Sequence, residues 1–95
     1  MTRKEYNGWT NYETWAVKLW IDSEEGSSNY WLEQAEECAT GEHPEWALEE
    51  RLKGEHEEAL PEIHGFAADL LNAAMSEVNW REIANSLLEQ AKTEA

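Results

Sequence analysis

The 95-residue chain predicts an all-α protein, a small single-domain bundle of four to five short helices. Three observations carry that reading. Ala, Leu and Glu abound while Pro and Gly number only two and five, a composition that favours helix. Apolar residues recur at spacings of three and four, the helical period, with no strand-like alternation. Helix-start residues precede most of these periodic runs. Six tryptophans supply bulky core candidates to a chain with little interior volume.

Residues 1–8 read as a flexible polar arm. The stretch Gly8-Trp9-Thr10-Asn11-Tyr12-Glu13-Thr14-Trp15 opens the first helix, expected over 11–22. Thr10 with Glu13 fits a capping box, and Asn11 offers an alternative cap one residue later. Tyr12, Trp15, Ala16, Leu19 and Trp20 form one apolar stripe that is expected to be buried. Gly26 reads as a stop and Ser28 or Asn29 as the next cap. The second helix is then expected over 29–39, with Trp31, Ala35 and Cys38 inside. Pro44 suits the first position of a third helix over 44–59, built on Leu48 and Leu52, with Gly54 weakening its middle. Past Pro61, the residues Ile63, Phe66, Ala67, Leu70, Leu71 and Ala74 predict a fourth helix over 62–77. Asn79 followed by Glu82 caps a fifth, which carries Trp80, Ile83, Ala84, Leu87, Leu88 and Ala91. Trp15, Trp20, Trp31 and Trp80 are assigned to the core, while Trp9 and Trp46, near helix starts, suit either core or interface.

The charge is concentrated. The formal net charge is −14, and residues 22–62 hold fourteen carboxylates against Arg51 and Lys53, a net −12. Like charges three or four apart on a helix lie about 5–6 Å from each other and repel by a few tenths of a kcal/mol per pair. Rows of anions at that spacing approximate the phosphates of a nucleic-acid strand. The expected partner-binding residues are Glu33, Glu36, Glu37, Glu45, Glu49, Glu50, Glu55, Glu57 and Glu58, facing the basic nucleic-acid-binding groove of a partner protein.

Other chemistry is poorly represented. His43, His56 and His64 lack the i+3 or i+4 companions of a helical metal site, so no metal or other cofactor is expected. Cys38, the single cysteine, falls on an apolar stripe and has no activating histidine near it in sequence. There is no glycine-rich phosphate loop. The seven basic residues are scattered, which argues against direct nucleic-acid binding. No apolar run approaches the roughly 20 residues that span a bilayer, and the polar N-terminus lacks a signal-peptide core. The expectation is a soluble, cytoplasmic, non-enzymatic protein.

Asn7-Gly8-Trp9-Thr10-Asn11-Tyr12-Glu13-Thr14-Trp15, with Leu19-Trp20 after it, resembles the N-terminal signature of a family of small acidic proteins encoded by bacteriophages and other mobile elements. Val78-Asn79-Trp80-Arg81-Glu82-Ile83-Ala84 is similar to that family's C-terminal motif. The resemblance implies a protein acting inside a bacterial host cell and carries over no catalytic residue. By analogy with other small acidic phage proteins, it implies a DNA-mimicking inhibitor of a host defence system, a CRISPR or restriction effector. The alternative is a structural or adaptor module that binds through exposed aromatic and apolar surface, with homodimerisation as one form of it.

Overall fold

The computed structural model describes residues 6–94. Five helices follow one another: α1 (Tyr12–Ser23), α2 (Glu25–Ala39), α3 (Pro44–Glu58), α4 (Phe66–Ser76) and α5 (Trp80–Glu94). The fold is all-α, as the helical periodicity predicts.

The chain enters through a tight turn. Asn7 and Gly8 both take positive φ, 47° and 86°. Tyr6 N–H donates to the Trp9 carbonyl at 2.9 Å, and Trp9 N–H donates to that of Tyr6 at 2.7 Å. This is the geometry that an Asn-Gly pair adopts in type I′ turns. Residues 6–8 of the expected arm form this turn, and residues 1–5 lie outside the described residues. The Tyr6 ring rests 5.2 Å from Tyr12 and 4.9 Å from Trp15.

Asn11, not Thr10, caps α1: its Oδ1 accepts from Thr14 N–H at 2.9 Å. The face that α1 buries also differs from the expected one. Thr14, Lys18 and Ile21 point inward, while Tyr12, Leu19 and Trp20 are exposed, Trp20 by 73%. Trp15 is only half-buried. Two stripes compete on this helix, and the inner one wins because its polar members are partnered. Thr14 Oγ1 accepts from Asn79 N–H at 2.8 Å, and Lys18 Nζ donates to Asp22 at 2.7 Å. A buried polar group held this way escapes the desolvation penalty of an unpaired one.

Gly26 does not stop a helix. It lies in the first turn of α2, which begins four residues before Asn29; Glu24 occupies the cap position with no side-chain bond. α3 starts at Pro44 as expected and runs through Gly54 without a break. α4 is shorter than expected, because Gly65 turns the chain into it at φ 71°, a conformation that favours glycine.

The core is assembled around α5. Its Trp80, Ile83, Ala84, Leu87 and Ala91 meet Ile21 of α1, Trp31, Ala35 and Cys38 of α2, and Leu48 and Leu52 of α3. His56 lies in the same region, its ring 5.5 Å from Trp31 in a stack and 5.4 Å from Trp80. The stripe expected to bury α4 does not do so. α4 contributes no buried residue, and Phe66 and Leu70 are exposed by 80% and 57%. With α5 already filling the space among α1, α2 and α3, α4 lays only Met75 against the core. Among the described residues, no helix is long and apolar enough to cross a membrane.

Candidate partner-binding surface

α2 and α3 run side by side as an antiparallel hairpin, because three contacts tie them in register. Tyr30 Oη donates to Glu55 at 2.8 Å, and Arg51 donates to Gln34 at 2.7 Å and to Glu37 at 2.8 Å. The nine expected partner-binding carboxylates are divided between these two helices. Eight are exposed and Glu49 is half-buried.

They do not share one flat face. Glu37 and Glu55 line the seam between the helices, where Arg51 and Tyr30 engage them. Glu49 turns toward α5 and pairs with Arg81 at 2.8 Å. Glu45 faces the same side, at the rim of a hollow lined also by Asn85, Leu88, Glu89 and Lys92. Glu57 borders a second hollow toward α4, beside Lys53 and Asn72. Glu33 and Glu36 on α2 and Glu50 and Glu58 on α3 complete the set on the exposed surface of the hairpin. Arg51 and Arg81 thus neutralise Glu37 and Glu49. Glu33, Glu36, Glu45, Glu50, Glu57 and Glu58 have no ion pair among the described residues. The six free carboxylates are thus spread over the hairpin rather than gathered on one face, with Arg51 lying along the seam.

The electrostatics follow from these contacts. The hydrogen bond to Glu55 raises the Tyr30 phenol above its ordinary value, because phenolate would face a carboxylate. The hydrogen bond to Glu37 strengthens the hold of Arg51 on its proton. On the inner side of the hairpin, burial pushes the Cys38 thiol up and leaves it a poor nucleophile.

No group of three or more His, Cys, Asp and Glu able to hold a metal occurs among the described residues. The hollow beside Glu45 has a volume near 650 Å³, within the range of small-molecule sites. Its polar groups are all exposed, so it supplies no desolvated pair to drive chemistry. Of the two tryptophans that suited either role, Trp9 packs against the core and Trp46 is exposed by 58%.

The two sequence motifs meet in space, which their spacing along the chain does not reveal. The starts of α1 and α5 cap each other. Asn79 Oδ1 accepts from Glu82 N–H at 3.1 Å, the local half of a capping box. The reciprocal half is exchanged between helices: Glu82 Oε1 accepts from Thr10 N–H at 3.1 Å, and Asn79 N–H donates to Thr14 Oγ1. Asn11 Nδ2 donates to the Glu77 carbonyl at 2.7 Å. Thr10 and Thr14 of the first motif thus bond to Glu82 and Asn79 of the second, forming a structural clasp.

The chain matches a family model over residues 2–94. No curated protein and no solved structure matches it. Because that match spans nearly the whole chain, clasp motifs and acidic hairpin together, the protein belongs to DUF7249, a family of unknown function.

Proposed function

We propose that this protein is a binding protein rather than an enzyme, and that its α2–α3 hairpin occupies the nucleic-acid groove of a basic partner. The observation that carries the reading is the set of six carboxylates without ion pairs on one exposed hairpin, within a segment of net charge −12. A solvated helix surface ordinarily mixes signs. This one accepts like-charge repulsion, which a cationic groove would relieve. The resemblance to phage and mobile-element proteins suggests the setting: the cytoplasm of a bacterial host, with a CRISPR or restriction effector as the inhibited partner. Neither direct nucleic-acid binding nor membrane association belongs to this reading.

A bacterial lysate passed over the immobilised protein at low salt tests it. The partner should elute sharply as salt rises, and added DNA should compete it off. The triple variant Glu33→Lys, Glu36→Lys, Glu50→Lys should weaken binding to that partner by at least about a hundredfold, with helix content unchanged by circular dichroism. Unchanged affinity would sink the proposal.

A second reading is favoured by Trp20 and Trp46, exposed by 73% and 58%. Large exposed aromatics are common interface anchors. An adaptor binding through them would retain its partner at high salt, ignore DNA and lose affinity on Trp20→Ala or Trp46→Ala.

A further inference from the structure

α4 gathers Asp69, Asn72 and Ser76 on one side and is apolar on the others. Its sequence, Phe-Ala-Ala-Asp-Leu-Leu-Asn-Ala-Ala-Met-Ser, has one charge, Asp69. Such a helix is ordinarily buried, yet α4 has no buried residue, and it presents Phe66, Ala67, Leu70 and Ala73 to solvent. From these features we infer that α4 is a self-association surface, pairing with α4 of a second copy about a two-fold axis. This inference is independent of the function proposed for the hairpin.

The charge distribution selects the occupant. Each copy carries −14, so two copies repel over most of their surfaces. Residues 63–76 carry one carboxylate, whereas residues 22–62 carry a net −12. α4 is therefore where two such chains can meet with little opposition. An anionic bilayer is a poor alternative, since residues 54–80 contain no Lys or Arg to attract it. A basic protein would be drawn to the hairpin instead.

The residue pattern is also self-complementary. In an antiparallel pair with Leu70 on the axis, Phe66 of one copy faces Ala73 and Ala74 of the other, and Ala67 faces Ala73. Each Phe66 then meets small residues while the two Leu70 side chains meet on the axis, and the two Asp69 side chains do not oppose each other. Eleven residues span only about 16 Å of helix. Such a face falls short of the about 800 Å² per partner of a standard interface. The association is therefore weak and concentration-dependent.

Sedimentation equilibrium of the full chain over a range of NaCl concentrations tests the inference. Dimer should appear at high protein concentration and tighten as salt screens the repulsion, the opposite of the salt response expected for the hairpin's partner. Phe66→Glu should weaken dimerisation at least tenfold, and Glu36→Lys should not weaken it. In a second variant, Leu70→Cys should form an intermolecular disulfide under mild oxidation, whereas Trp20→Cys should not. A monomer up to about 1 mM in high salt, a dimer indifferent to Phe66→Glu, or cosedimentation with anionic vesicles in place of self-association would each overturn it.

Discussion

α4 and α5 are neighbours in sequence and both carry apolar residues at helical spacing, yet they meet opposite fates. α5 buries Trp80, Ile83, Ala84, Leu87 and Ala91, whereas α4 buries nothing. α5 is tied at its first turn to the start of α1 through Asn79 and Glu82, and it lies against α1, α2 and α3. α4 begins after the positive-φ turn at Gly65 and touches the core through Met75. The difference teaches that apolar periodicity records a demand for cover, while polar tethers decide which helix obtains it inside the chain.

The sharpest way to break the comparison is to truncate one side chain on each helix. Ile83→Ala removes a fully buried side chain and should cost about 2–5 kcal/mol in urea unfolding. Phe66→Ala, though it removes more atoms, should fall within about 0.5 kcal/mol of wild type, because the ring already faces water. A large loss at Phe66 would mean that α4 is covered within the monomer.

The clasp is the next most sensitive point. Thr14→Val keeps the shape of the side chain but deprives Asn79 N–H of its acceptor. The expected loss is about 1–3 kcal/mol, with amide exchange accelerated first at the start of α5. Equal exchange in both proteins would show that the clasp does not hold α5 in place.

The smallest effect concerns Cys38, packed among the residues that α5 covers. Burial raises its folded-state pKa, so the folded protein retains a proton that the unfolded chain releases above about 8.5. The associated stability is fully present below that pH and is lost as pH rises through the folded value. Urea midpoints at pH 7 and pH 9.5 should therefore fall further for wild type than for Cys38→Ala. Identical falls would refute the thiol's contribution.

Features governed by local chemistry were readable in the chain. Asn11 and Asn79 set the starts of α1 and α5 through bonds three residues on, Pro44 sets that of α3 through its fixed φ and missing N–H, and the periodicity of Leu48 and Leu52 or of Ile83 and Leu87 marked the buried faces. The inward face of α1 was not readable. Thr14 and Lys18 look like surface residues until Asn79, 65 positions away, and the i+4 Asp22 supply their partners. Gly26-Ser27-Ser28 looks like a break, although α2 tolerates all three in its first turns. The concentration of acidic charge was evident from composition. Which carboxylates stay free was not, because Arg51, Arg81 and Tyr30 reach them across helix boundaries.

The exchange of caps between α1 and α5 also bears on the order in which the molecule can be made. Val78, Trp80, Ile83, Ala84, Leu87 and Ala91 are six of the twelve buried apolar residues among the described residues, and all follow the hairpin in sequence. A polypeptide emerging from its N-terminus has the hairpin and its charge long before it has a core. Closing the clasp brings together Thr10 and Glu82, 72 positions apart, an entropically costly contact. Folding is thus deferred until α5 has been made. Until then, mutual repulsion of the α2–α3 carboxylates on neighbouring nascent chains keeps their unfinished apolar faces apart.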